Sequence, residues 1–285
     1  MPEGWARKAN RLESMPPRPS SPPSDSRLLR RLLEFGDDIG RATAERVIQI
    51  SGGHAVLTPS ADLLHDSNYL AITDSGREAT ELAHMAETLM EGEGFSAFEV
   101  YPLDPVDAER LAPGFESLGW KLDLGVYMVH RGPPDRPSDL PVEEVTGEEL
   151  GGFFRELMKA TWSADYAGDP DDVTDQFVAR ERAYAQFGGD RWFVASDQGE
   201  RAACCYLLQR DGLGQVETVA TRAASRNKGL ARAVILAAVE ASKRDGDELT
   251  FIGAEQDDWP KDLYRRLGFE PVGIEHAFVT GAPEK

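Results

Sequence analysis

Two helix endings in this chain are near copies of each other. Gly114-Phe115-Glu116-Ser117-Leu118-Gly119-Trp120 is matched by Leu263-Tyr264-Arg265-Arg266-Leu267-Gly268-Phe269. In both, Leu-Gly-aromatic reads as a helix stop: the glycine supplies a left-handed cap and the aromatic opens the next buried strand. Ahead of each ending lies the same succession of patterns. In the first block a strand at Tyr69–Thr73 is followed by a helix at about Arg77–Glu91. A strand at Phe95–Tyr101, a helix at Pro105–Leu118 and a strand at Leu122–His130 complete it. The second block opens with helical patterns at Gly151–Thr161 and Asp172–Phe187 and strands at Trp192–Ser196, Ala202–Gln209 and Gln215–Thr221. A long helix at Gly229–Arg244, a strand at Leu249–Gly253, a helix at Asp258–Leu267 and a strand at Glu270–Val279 follow. Such a chain is expected to be α/β (α+β): two similar units in tandem, each a mixed central sheet flanked by helices.

Proline places the boundaries. Residues 1–27 hold Pro16, Pro17, Pro19, Pro22 and Pro23 and read as a disordered tail. The first unit is expected over 28–132, beginning with a short amphipathic helix through Leu28, Leu32 and Phe35. A Pro-rich linker covers 133–141 and the second unit 142–285. No apolar run approaches the roughly 18 residues that span a bilayer, and the first residues hold no apolar stretch fit for a signal sequence, so the expected compartment is the cytoplasm. The net charge of −19 and pI near 4.7 argue against nucleic-acid binding, which draws on clustered Lys and Arg. Cys204 and Cys205 are adjacent, cannot form an ordinary disulfide, and are expected to be packed thiols. The five histidines show no metal-ligand spacing, so no metal is expected.

One stretch departs from this acidity. Between Glu217 and Glu240 there is no carboxylate, where the chain average would place about four, and Arg222, Arg226, Lys228 and Arg232 fall inside it. A local positive field in an acidic chain suits an anionic ligand. Within it, Arg226-Asn227-Lys228-Gly229-Leu230-Ala231 fits a turn into a helix, whose free N–H groups could hold a pyrophosphate.

The second block resembles the GNAT superfamily of acyl-CoA-dependent N-acyltransferases. Arg226 to Ala231 satisfies that family's Gln/Arg-x-x-Gly-x-Gly/Ala signature, and Tyr264 stands four residues before Gly268-Phe269, as the family's tyrosine does. The resemblance implies acetyl-CoA as co-substrate and a primary amine of a small molecule or peptide as acceptor. The pyrophosphate would meet backbone N–H groups from Asn227, Lys228, Gly229, Leu230 and Ala231, with charge from Arg226 and Lys228. The strand near Val219 and Thr221 would pair with the pantetheine arm. Tyr264 would protonate the leaving thiolate. Glu217, on the same strand, is a candidate base, because a lysine-like amine is neutral only about once in two thousand molecules at pH 7. Strand parity leaves open whether Glu217 faces the site or an edge.

Other residues qualify the resemblance. Asp257 stands where many relatives carry an Asn; it and Asp258 read better as cap and first-turn acids than as cofactor ligands. The link between the block's first two helices carries Trp162, Asp165, Tyr166, Asp169, Asp171, Asp172 and Asp175. It reads either as an acidic mouth for a cationic amine or as a solvated loop with a helix cap. In the first block Phe115 replaces the tyrosine and Thr73-Asp74-Ser75-Gly76-Arg77-Glu78 lacks the phosphate signature. That half is expected to be a degenerate GNAT-like unit that does not bind CoA, and instead stabilises the active half, shapes the acceptor cleft or binds a partner. A non-catalytic acyl-CoA sensor or scaffold is the alternative to an enzyme.

Overall fold

The computed structural model describes residues 25–73, 76–161, 166 and 168–280. The tail before Asp25, Asp74-Ser75, Trp162 and Asp165 lie outside these. In chain order the first half comprises α1 (Ser26–Thr43), β1 (Arg46–Ile50), β2 (Gly53–Leu57), β3 (Tyr69–Ile72), α2 (Ala79–Gly92), β4 (Phe98–Pro102), α3 (Pro105–Ser117) and β5 (Lys121–His130). The second comprises β6 (Val142–Val145), α4 (Gly147–Leu150), α5 (Gly152–Thr161), α6 (Pro170–Phe187), β7 (Arg191–Asp197), β8 (Glu200–Arg210) and β9 (Leu213–Thr221). It ends with α7 (Leu230–Asp245), β10 (Leu249–Glu255), α8 (Pro260–Arg266) and β11 (Phe269–Thr280).

The helix starts follow local chemistry. Asp25, Asp104 and Asp169 each accept a backbone N–H at the head of α1, α3 and α6, and Pro105 and Pro170 take first-turn positions. Both Leu-Gly-aromatic stops form as expected, with Gly119 at φ +83° and Gly268 at φ +93°. Helix α1 already begins at Ser26, inside the expected tail, and runs on past Phe35 to Thr43 because Ile39 and Gly40 also face the core. The β1–β2 hairpin, turning at Ser51-Gly52, and the edge strand β6 were not anticipated. They are short, and β1 is largely exposed, so apolar patterning marks them weakly.

The fold is mixed α/β, and the strands of both halves form one sheet in the order β1-β2-β3-β4-β11-β5-β10-β9-β8-β7-β6. Each half holds one parallel pair, β3–β4 and β9–β10, joined through a helix; the other pairs are antiparallel. The halves exchange their last strands: β5 of the first half pairs with β10, and β11 of the second pairs with β4. Between them β5 and β11 pair along nearly their whole lengths, from Phe269 opposite His130 to Val279 opposite Lys121, with one bulge after Pro271. Two sequence units therefore share one sheet.

One face of that sheet is covered by α1, α5 and α6 over a core that runs through both halves, including Leu29, Phe154, Trp192 and Phe251. On the opposite face α2 and α3 pack over the first half and α7 and α8 over the second. Phe115, the counterpart of Tyr264, is fully buried there and stacks on Phe278 of the exchanged strand with centroids 4.2 Å apart. A buried phenylalanine contributes roughly 1.5–3 kcal/mol. That position serves packing.

Candidate active site

Strand β9 is the pivot of the site. It pairs with β10 only from Leu213 to Val216, while β10 continues through Gly253, Ala254 and Glu255 against β5. Residues 217–221 thus keep β8 on one side and leave a backbone edge unpaired on the other. A bulge accompanies the split: Tyr206 pairs with Glu217 and Cys204 with Ala220, so two residues of β9, Thr218 and Val219, oppose Cys205. Thr218 takes φ +50°, an uncommon conformation for a β-branched residue. Its hydroxyl donates to Glu181 on α6 and its N–H to the Glu217 carboxylate at 3.2 Å. The strain sits where the sheet opens.

After β9 the chain makes a short 3-10 turn at Ala223–Ser225 and enters α7 through Asn227 at φ +63° and Gly229 at φ +84°. No side chain caps α7 and no acid stands in its first turn, so its positive end is directed outward from Gly229. A Cβ on Gly229 would meet only Leu140 Cδ1 at 3.7 Å; glycine is required for the backbone conformation rather than for space. Asn227, Lys228 and Arg226 are exposed, whereas Leu230 is buried under the sheet. The Thr221 hydroxyl, on the open strand, is buried with no hydrogen-bond partner among the described residues. An open strand edge, an orphaned hydroxyl beside it and an uncapped helix end fit a pantetheine arm followed by a pyrophosphate.

The charge island is less free in space than in sequence. Lys228 Nζ lies 2.5 Å from Asp197 Oδ2, which also accepts from the Ser225 hydroxyl at 2.7 Å. Arg232 is buried and holds the linker, reaching Asp135 at 2.7 Å and the Arg136 carbonyl at 2.9 Å. Arg222 pairs with Glu156 and lies over the Phe153 ring. Arg226 contacts the Thr221 carbonyl at 3.4 Å and remains solvent-facing.

Glu217 points to the α1–α6 face and lines a cavity of about 400 Å³ at the junction of the halves. Burial, then the nearby Glu181 and Glu275 carboxylates, push its carboxyl up to about 8, against the opposing Thr218 N–H. Tyr264 belongs to the opposite face, packed among Leu230, Cys205 and Leu267, and is 6% exposed. Burial and the Glu217 charge raise its phenol well above the usual tyrosine range, so it stays protonated. The open seam between β9 and β10 brings these two residues, on different faces, within electrostatic reach.

Most of the cavity wall was not foreseen. Asp66, Glu99, Tyr101, Asp123 and Tyr127 of the first half line it together with Arg180, Glu181 and Glu275 of the second. The one available signal was a lone acid at an inward position of an apolar strand, as in Phe98-Glu99-Val100 or Ile274-Glu275-His276. Of the two readings of the acidic link, the described aspartates Asp169, Asp171 and Asp175 follow the solvated one, in a surface network with a helix cap. Asp169 caps α6, while Asp171 and Asp175 pair with Arg155, and Asp171 also with Lys159. Tyr166 bonds to Asp66 at 2.9 Å. Asp258 accepts from Trp259 N, and Trp259 rather than either aspartate occupies the cap of α8. Both cysteines are fully buried, with the Cys204 thiol pushed up to about 12 by burial.

Residues 188–271, which contain the split strand, the helix turn and Tyr264, match the family model described as acetyltransferase (GNAT) domain. The C-terminal half therefore carries a GNAT acetyltransferase domain. Around it, most of the chain shares the fold of solved proteins. A GCN5-related N-acetyltransferase from Kribbella flavida superposes with a TM-score of 0.59 at 16% identity, covering 90% of this chain and 96% of that one. A functionally unknown conserved protein from Staphylococcus epidermidis ATCC 12228 gives 0.60 at 12% identity, covering 84% and 94%. A tandem GNAT protein from the clavulanic acid biosynthesis pathway gives 0.54 at 14% identity, covering 87% and 88%. At such identities the likeness is one of fold, and it extends the tandem arrangement over most of the chain. No curated protein matches the sequence significantly. Among the described residues, no helix is long and apolar enough to cross a membrane.

Proposed function

We propose that the chain is an N-acetyltransferase that moves an acetyl group from acetyl-CoA to a primary amine of a small molecule or peptide, with its chemistry in the C-terminal half. The observation that carries this reading is the placement of Glu217 at the bulge where the sheet opens, facing a cavity large enough for a small acceptor, where burial pushes its carboxyl up to about 8. Taking a proton from an ammonium of pKa about 10.4 costs roughly 3 kcal/mol with such a base, against about 8 kcal/mol for an ordinary glutamate.

Acetyl-CoA would supply the activated acetyl thioester, held by the open edge at Val219 and Thr221 and by the turn from Arg226 to Ala231. The acceptor ammonium gives one proton to Glu217. Its nitrogen bonds to the acetyl carbon as the carbon–sulfur bond breaks, and a backbone N–H near Val219 stabilises charge on the carbonyl oxygen. Sulfur takes the phenolic proton of Tyr264, and the second nitrogen proton restores that phenol through solvent. The products are an amide, free CoA thiol and one net proton. The first half, with Phe115 in its core, does not bind CoA and serves as a wall of the acceptor cavity.

Thiol release on mixing the protein with acetyl-CoA and a panel of primary amines tests the reading. Amine-dependent release that Glu217→Gln suppresses supports it. Calorimetric binding of acetyl-CoA without turnover of any amine would replace it with the sensor reading, and no binding would remove both.

A further inference from the structure

The wall of the cavity opposite Glu217 is more acidic than proton abstraction requires. Arg180 is the sole Lys or Arg lining the cavity among the described residues, and it is committed to Asp66 at 2.6 Å and Glu181 at 3.0 Å. Glu99, Glu217 and Glu275 line the cavity with no lysine or arginine within ion-pair distance among the described residues. Burying unpaired carboxylates is costly, so a site that keeps them is built to be completed by a cation.

Glu99 is the most telling. Its alternation on β4 turns Phe98 and Val100 into the opposite core and sends Glu99 and Tyr101 to the cavity. Its side chain is nine-tenths buried, yet it makes no hydrogen bond among the described residues. His65 Nε2 lies 3.5 Å from Glu99 Oε1, and burial lowers His65, so that ring is uncharged near neutral pH. Burial, followed by Asp66, Asp123 and Glu275, raises the Glu99 carboxyl well above its usual range.

Glu275 stands one strand away on β11, where it accepts from the phenols of Tyr101 and Tyr127, the latter at 3.3 Å. The hydrogen bonds fix it in place without supplying a positive charge. Tyr69, Tyr184 and Tyr206 add three more aromatic residues to the walls, surfaces suited to methylene groups and to ammonium faces. Glu275 on β11 and Glu217 on β9 are separated in the sheet by β5 and β10, and both line the cavity. The cavity lies at the small end of ligand sites, which suits a narrow chain. Among the described residues no three or more His, Cys, Asp or Glu side chains are grouped so as to hold a metal ion.

We infer that the acceptor is a linear aliphatic polyamine, whose terminal amine is acetylated beside Glu217 while a distal ammonium is held by Glu275 and Glu99. This rests on the acetyltransferase reading for the identity of the reaction, but not for the binding. The distal carboxylates are positioning residues: they set which nitrogen reaches the thioester. The first half thereby becomes a specificity wall contributed across the exchanged strands.

The test compares spermidine, spermine and hexylamine as acceptors for the full chain at saturating acetyl-CoA, with Glu99→Gln and Glu275→Gln as variants. The expected result is a kcat/KM for spermidine or spermine at least about a hundredfold above hexylamine. Each variant should cut that ratio by about tenfold, mainly through KM. Titration calorimetry of spermine in two buffers of different ionisation enthalpy supplies a second readout. Binding should release protons, because the ammonium groups favour ionised carboxylates, and the release should shrink in both variants. Thermal melts of the unliganded variants check the fold, since glutamine preserves side-chain shape. Equal use of hexylamine and the polyamines, or an unchanged ratio in both folded variants, overturns the inference while leaving the acetyltransferase reading intact. Spermine binding with proton release but no turnover sustains the cation site and removes the reaction. Absence of both binding and turnover of spermine overturns it.

Discussion

Tyr206 stands opposite Glu217 in the β8–β9 register, and its phenol donates to Glu181 Oε2 at 2.8 Å. The Thr218 hydroxyl donates to the same oxygen. A single carboxylate on α6 thus ties down both the strand partner of the candidate base and the strained residue that follows it. Glu181 is buried between Arg180 and these two donors, so its charge is satisfied, and its proximity helps raise Glu217.

Replacing Glu217 with Gln should lower kcat by about 10²–10⁴, the usual contribution of a positioned general base, while leaving the acetyl-CoA dissociation constant nearly unchanged. In the wild type, kcat/KM should climb with pH and level off above about 8, because the required form is the carboxylate. A pH–rate profile with no inflection between 7 and 9 would remove Glu217 as the base.

The same residue leaves a mark on stability. Its folded pKa is raised above the ordinary value, so the folded protein binds the extra proton between about pH 4.5 and 8, and its stabilising effect is lost as pH rises through that range. Buried histidines such as His65 and His130 act in the opposite sense, since unfolding lets them take up protons near pH 6. The clean measurement is therefore a difference. The melting temperature of Glu217→Gln minus that of the wild type should increase by several degrees from pH 5 to pH 8, measured without ligand.

Tyr264→Phe should keep the fold, because the ring packs among apolar neighbours and the hydroxyl makes no hydrogen bond to a side chain among the described residues. Turnover at saturating substrates should fall by about tenfold to a hundredfold as the thiolate loses its proton donor. Full turnover in the variant would assign Tyr264 to packing alone.

Two glycines with similar backbone angles should respond differently to alanine. At Gly229 the added Cβ meets only ordinary contact, so the cost is about 1 kcal/mol of conformation. The visible effect should be a KM for acetyl-CoA raised several-fold. At Gly268 the Cβ would lie 2.1 Å from the Gly132 carbonyl oxygen, inside the turn whose Arg131 and Gly132 N–H groups bond to the Gly268 carbonyl. Gly268→Ala should depress the melting temperature far more than Gly229→Ala. Differential scanning calorimetry of both variants decides the comparison.

How much of this was written in the sequence depends on the range of the signal. Local chemistry was legible: the glycine stops at Gly119 and Gly268, the turn into α7 and the long helix behind it all appear where their residues imply. The face taken by Glu217 was not, because the bulge at Thr218 resets strand parity and depends on a partner on α6. The true acidic wall escaped notice because Glu99, Asp123 and Glu275 lie on strands whose neighbours are set by the exchange of β5 and β11. The aspartates of the loop before α6 drew attention by their number, yet they pair with Arg155 and Lys159 outside the cavity.

That exchange also orders events during synthesis. β5 leaves the ribosome about 140 residues before β11, its partner along one whole edge, and well before β10 on the other. At roughly 5–20 residues per second, the first half waits on the order of ten seconds with three strand edges, one on β4 and both on β5, lacking their final neighbours. Until β11 threads between them, those edges are open to pairing with another chain. Truncation at the linker would take β11 from between β4 and β5, and β5 from between β11 and β10. Among the described strands, the last to be made is the one that closes the sheet.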